Sequence, residues 1–231
     1  MDHKKLNQEL IEAAKSGNLQ LVQALKLKGV DIAFNNNQAL RLSSANGYLE
    51  VVKYLLKHGA DIHVENDNIL RIVAIKGNLE IIKYLVSQGA DIHANNEEAL
   101  RFTSYLGKLE IIKYLLEQGA DIHAENDEAL KLAAESGNLE IVKYLVENGA
   151  NLYANKDYSL KRASKNNRVK IIQYFLFDCD MKISKETKNW LQKNKQYETL
   201  KLIEKKDLLL RLDKNLIQKD SIDKFNKKVK I

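Results

Sequence analysis

NEEALRFTSYLGKLEIIKYLLEQGADIHAEN, residues 96–126, decides how the rest of the chain is read. A short apolar run stops at Gly107 and a longer one at Gly119, and moving the window by 30 residues in either direction brings the pattern back. All ten glycines fall on that comb, at 17 and 29, 47 and 59, 77 and 89, 107 and 119, 137 and 149. A fixed period of roughly 20–50 residues is the mark of a solenoid, in which each unit buries its apolar face only by stacking on the next.

Each unit predicts two helices. The first runs from Glu98 to Leu106, with the Asn/Asp/Glu cluster ahead of it expected to cap the open N–H groups. The second runs from Leu109 to Gln118. Leu109, Ile112, Leu115 and Leu116 share one face, widened by Ile111 and Tyr114. So wide a stripe suits a helix packed on several sides, and Leu116 is expected in the core.

Six units follow, 5–34, 35–64, 65–94, 95–124, 125–154 and 155–184, so residues 1–184 form the array. The first is atypical. Gln20, Gln23, Ala24 and Lys26 stand where later units have Glu, Lys, Tyr and an apolar residue, as an N-terminal cap requires. In the sixth, Asn167 replaces the inner glycine and can take its left-handed conformation, whereas Cys179 replaces the outer one and cannot. The loop after Phe177 is therefore expected to differ. Residues 185–231 read as a degenerate terminal repeat and basic helical cap: residues 196–203 echo a second helix about two positions early. Leu208, Leu212 and Leu216 mark a further helix.

Composition narrows the function. With 45% hydrophobic residues the chain can build a core, and with no proline its turns fall to Gly, Asn and Asp. One cysteine, Cys179, forms no intrachain disulfide and suits a reducing compartment, so a cytoplasmic monomer is expected. No secretory leader or membrane-length apolar run is read, so no membrane association is expected. Residues 1–154 hold 16 basic and 21 acidic residues, net −5, whereas residues 155–231 hold 21 and 10, net +11.

Residues 137–150, Gly-Asn-Leu-Glu-Ile-Val-Lys-Tyr-Leu-Val-Glu-Asn-Gly-Ala, resemble the second half of an ankyrin repeat, as do 47–60, 77–90 and 107–120. Residues 132–137 are similar to the end of that family's first helix. The Gly-Ala-Asp-Ile-His-Ala linkers resemble those of long arrays encoded by giant DNA viruses. The resemblance implies an all-α solenoid, a curved rod of helix-turn-helix repeats. The family unit is usually 33 residues; here it is 30, and the missing three lie between Ala124 and Ala129 and their equivalents. There the family projects a β-hairpin finger, so shortened or absent hairpins are expected.

Several ladders invite a chemical reading. His63, His93 and His123 recur at 30, but equivalent positions in a stack lie about 8–10 Å apart, too far to converge on one ion. No metal or cofactor is expected. Arg41, Arg71, Arg101, Lys131 and Lys161 form a basic ladder. Asp67, Glu97, Asp127 and Asp157, four residues ahead of the last four, are expected to pair with them. Tyr54, Tyr84, Tyr114, Tyr144 and Tyr174 read as packing between repeats rather than as a stacking track for bases. Asp31, Asp61, Asp91 and Asp121 are alike and evenly spaced, unlike a general acid/base pair. With no nucleophile–base set and no phosphate loop, an enzyme is not expected.

Binding positions should vary where framework positions repeat. The sharpest variation precedes the inner glycine, at Ala45 and Asn46, Ile75 and Lys76, Tyr105 and Leu106, Glu135 and Ser136. In ankyrin-like arrays these positions face a concave groove. The function expected is a non-enzymatic scaffold or adaptor that grips a protein partner there. The alternative is an anionic surface or nucleic acid held by Lys161, Arg162, Lys165, Arg168 and Lys170.

Overall fold

The computed structural model describes residues 3–229, with side-chain surroundings as far as residue 214. Fourteen α-helices and no strand occur among the described residues. Inner helices α1 (His3–Lys15), α3 (Phe34–Ala45), α5 (Val64–Lys76), α7 (Ala94–Leu106), α9 (Ala124–Ser136) and α11 (Ala154–Lys165) alternate with outer helices. The outer ones are α2 (Leu19–Leu27), α4 (Leu49–Lys57), α6 (Leu79–Ser87), α8 (Leu109–Glu117), α10 (Leu139–Glu147) and α12 (Val169–Gln173). Two helices follow, α13 (Lys185–Lys193) and α14 (Tyr197–Val229). Neighbouring inner helices pack on one another more densely than outer ones. The stack therefore closes on the inner side, and the inner helices line its concave face.

The core is one continuous sheath. Leu40, Leu70, Leu100, Leu130 and Leu160 fill it from the inner row, and Leu55, Leu85, Leu115, Leu145 and Phe175 from the outer row. Burying one such side chain stabilises the stack by about 1.5–3 kcal/mol. Leu116, expected among them, is only half-buried. The 3.6-residue turn spends the buried face of α8 on Ile111, Ile112 and Leu115 instead. At the N-terminal end Gln20, Gln23 and Ala24 are exposed on α2, leaving a polar outer end.

The region of the missing residues folds in a way the sequence reading did not anticipate. The Asn/Asp/Glu clusters do not cap the inner helices; no side-chain cap bond occurs at the starts of α3, α5, α7, α9 or α11. Three consecutive residues turn left-handed instead. In α7, Asn95, Asn96 and Glu97 have φ of 52°, 57° and 62°, and right-handed helix begins at Glu98. The same triplet occurs at 35–37, 65–67, 125–127 and 155–157. Left-handed backbone costs ordinary residues about 1–2 kcal/mol each, and less for Asn and Asp. Eleven of the fifteen residues concerned are Asn or Asp. Thus each finger is replaced by one left-handed turn.

The sixth unit departs where its substitutions fall. Asn167 adopts φ 54°, as its glycine equivalents do. The outer helix widens into a π-helical turn over Tyr174–Asp178, Cys179 stays right-handed, and the left-handed residue becomes Asp180 at φ 48°. Met181 is thereby buried where the second to fifth units place alanine. In the terminal pair Lys195 takes the left-handed position at φ 57°, two residues early. The separate helix expected around Leu208 is a continuation: α14 runs unbroken to Val229, because nothing between Ile203 and Leu208 interrupts helical backbone. Residues 230 and 231 of the expected basic end lie outside the described residues.

Candidate functional site

Three rows of side chains, at 42, 45 and 46 and every 30 residues onward, occupy one face of the inner helices at i, i+3 and i+4. On α7 these are Phe102, Tyr105 and Leu106, with 38%, 44% and 41% of their surface exposed. Ile72 and Ile75 lie half-buried at the equivalent positions of α5, beside exposed Lys76. An apolar patch on one helix face therefore continues onto its neighbour, with charge at its edge.

The eight groove residues read from the sequence divide once their neighbours are known. Tyr105 and Leu106 are exposed, Lys76 likewise, and Ile75 and Ala45 are half-buried. Asn46 is engaged: its amide donates to the Lys15 carbonyl of the preceding repeat at 2.9 Å. Ser136 Oγ donates to the Ala133 carbonyl and accepts from the Asn138 amide at 2.7 Å. Glu135 is held by Arg162, whose guanidinium also lies 3.6 Å from Glu128. Phe102 escaped the sequence reading. Its signal was available, since position 102 varies across repeats (Leu42, Ile72, Phe102, Leu132, Arg162) and lies one turn before Tyr105.

The five cations of the alternative are not one track. Lys161 is buried, and Arg168 sits in the inter-helix turn with its Nε donating to the Glu135 carbonyl at 2.9 Å. Lys170 is on the outer helix α12. Lys161, Arg162 and Lys165 meet at the C-terminal end of the concave face. They line an open hollow of about 420 Å3 with Glu135, Tyr158, Asn166 and Trp190. The arginine caps the Glu135 carboxylate, whose charge and hydrogen bond hold the guanidinium proton against burial.

The other ladders have structural duties. Asp67, Glu97 and Asp127, expected to pair with Arg71, Arg101 and Lys131, are buried and do not reach them. The left-handed turn points these carboxylates between repeats. Arg71 pairs with Glu98 at 3.2 Å, Arg101 donates to the Asn95 carbonyl at 2.9 Å, and Lys131 pairs with Glu128 at 2.7 Å. Asp157 takes the Thr187 hydroxyl at 2.7 Å. The linker residues Asp61, Asp91 and Asp121 each accept the backbone N–H two residues on. Nδ1 of His63, His93 and His123 meets Asp67, Glu97 and Asp127 at 3.0, 2.5 and 3.0 Å. Hydrogen bonding to Asp67 and Glu97 holds His63 and His93 above the usual imidazole range. Among the described residues no group of three or more His, Cys, Asp or Glu could hold a metal ion. The tyrosine ladder packs half-buried against the core.

A family model described as ankyrin repeats in three copies matches residues 10–96 and 99–189, more than three quarters of the chain. No curated protein matches it. No described helix is long and apolar enough to cross a membrane.

Proposed function

Since the chain belongs to the ankyrin-repeat family, whose members are in general protein–protein interaction modules, we propose that it is a non-enzymatic adaptor holding one partner protein along its concave face. Family membership alone leaves the place of contact open. The observation that carries the assignment is the exposed Phe102–Tyr105–Leu106 face of α7, continued by Ile72 and Ile75 and edged by Lys76 and Glu135. Apolar surface rimmed by charge is the usual composition of a protein interface, and aromatic side chains are enriched among the few residues that carry most of its binding energy.

The nucleic-acid alternative has less support. Of its five cations, Arg162 is neutralised by Glu135, Lys161 is buried, and Lys170 lies on the other helix row. Binding along a phosphate backbone needs several exposed cations in succession.

A photo-crosslinking residue placed at Phe102 should capture a partner in cells, and one placed at Leu27, 89% exposed at the far end of α2, should not. With that partner purified, Tyr105→Ala together with Leu106→Ala should weaken its affinity at least about tenfold. Unchanged affinity in the double variant would remove the groove from the account.

A further inference from the structure

Three lysines of the described chain are buried: Lys131, Lys161 and Lys206, with 3%, 6% and 8% of their surface exposed. A buried ammonium is costly unless a carboxylate accompanies it. Lys131 has Glu128 at 2.7 Å, and Lys206 has Asp180 at 2.7 Å. Lys161 has no carboxylate within ion-pair distance among the described residues. Its Nζ donates to the Lys156 carbonyl at 2.6 Å and lies 5.8 Å from the centre of the Trp190 ring.

The repeat shows how the gap arises. Lys131 and Lys161 are equivalent, and the carboxylate three residues ahead, Glu128, becomes Tyr158 in the sixth repeat. Arg71 instead draws its anion from the following repeat, as Glu98. The residue 27 places beyond Lys161 is Lys188, and the acid two places before it, Glu186, pairs with Lys156 at 3.1 Å; Trp190 of α13 lies over Lys161 instead. Neither position that supplies a carboxylate elsewhere supplies one to Lys161.

Lys161 nevertheless lines the open hollow at the end of the concave face, beside Lys165, which is exposed and has no ion pair among the described residues. With Arg162 and Glu135 cancelling one another, the hollow carries a net charge of about two positive units against two aromatic walls. We propose that it receives an acidic side chain of the same partner segment that lies on Phe102 and Tyr105, its carboxylate completing the ion pair that Lys161 lacks. The partner is thus a protein segment with apolar residues at one end and Asp or Glu at the other, running from α7 toward α13. The inference rests on the groove reading above and adds its polarity. Two cations without a carboxylate partner, in so short a hollow, suit one or two carboxylates rather than a polyanion, which needs a longer basic track.

Trp190 is the only tryptophan of the chain, so its fluorescence reports the hollow directly. Random dodecapeptides displayed on phage would be selected on the full-length protein, and the enriched sequences synthesised and titrated. The expected result is an acidic residue at one end of the enriched set. Changing it to its amide should weaken binding about 10–100-fold on the unaltered protein. The same change should have little effect on Lys161→Met and a smaller effect on Lys165→Gln than on the unaltered protein. Lys161→Met should also leave the urea midpoint unchanged or raised, since an unpaired buried charge is removed.

Enriched sequences without acidic residues would overturn the proposal, as would an equal loss on Lys161→Met or a lowered urea midpoint for that variant. Tighter binding of a single-stranded oligothymidylate, steeply weakened by salt, would overturn it in favour of nucleic acid. An acid-dependent peptide indifferent to Tyr105→Ala with Leu106→Ala would keep the hollow and sink the groove. A peptide sensitive to those changes but indifferent to its own acid would do the reverse. A selection that enriches nothing overturns both.

Discussion

The carboxylate of Asp67 accepts the backbone N–H of Asp91, 24 residues on and in the next repeat, at 3.0 Å. Asn37 does the same for Asp61 at 2.9 Å, Glu97 for Asp121 at 3.1 Å and Asp127 for Asn151 at 2.7 Å. Each acceptor is the third residue of a left-handed turn, and each is buried. The turn thus stands where the family carries a finger, and it ties one repeat to the next. The bond satisfies a linker amide that has no backbone acceptor of its own.

Asp67→Ala should therefore destabilise the array by roughly 1–3 kcal/mol, since it orphans the Asp91 amide and leaves alanine in left-handed backbone. Asp67→Asn should cost much less, because Asn37 already performs the same task with an amide oxygen. Urea unfolding of the two variants, side by side, measures the difference. Equal losses would show that the charge matters rather than the acceptor.

His63 and His93 sit with their Nδ1 against Asp67 and Glu97, and those hydrogen bonds raise both imidazoles above their usual value. A group whose folded value lies above its unfolded one stabilises the fold fully below the unfolded value. That contribution is lost as pH rises through the folded value. The protein should accordingly unfold at a higher urea concentration near pH 6 than near pH 8. Both rings are more than half exposed, so the shift should be small. His63→Gln with His93→Gln should flatten that pH dependence while leaving the fold intact.

Leu115→Ala should cost about 2–5 kcal/mol, because its side chain is wholly buried in α8. Tyr105→Ala and Leu106→Ala, exposed on α7, should each stay within about 0.5 kcal/mol of the parent. Thermal unfolding would separate the two classes. A large loss at Tyr105 would mean that its ring is a packing element and not a contact surface.

Gly17 and Gly29 both have positive φ, at 75° and 81°, but only the first is overlain. A Cβ at Gly17 would lie 2.4 Å from the Tyr48 ring of the next repeat, and one at Gly29 would meet nothing within 4 Å. Gly29→Ala should cost about 1–2 kcal/mol from backbone alone. Gly17→Ala should cost more, since Tyr48 must also leave its place over the turn between α1 and α2. Denaturant midpoints for the two substitutions test the ranking.

Much of the architecture was legible because a repeat writes its framework several times. The glycine comb, the second-helix stripe and the substitution at Cys179 were each visible against their own copies. The left-handed turns were not, although their Asn/Asp content was in view. The same residues serve as helix caps elsewhere, and propensity alone does not choose between capping and turning. The acid–base pairing at i,i+4 failed for the same reason, since it assumed right-handed backbone through Asp67 and Glu97.

The sequence alone determined the period, the helical pairs and the row that varies before each inner glycine, because these depend on local spacing. Only the tertiary structure decided which of the varying residues are available. It turned Asn46 and Ser136 toward the backbone, set Arg162 on Glu135, added Phe102 to the exposed face, and brought Trp190 over Lys161. Those outcomes depend on how adjacent repeats pack, and the distance between side chains 29 residues apart is written in no local pattern.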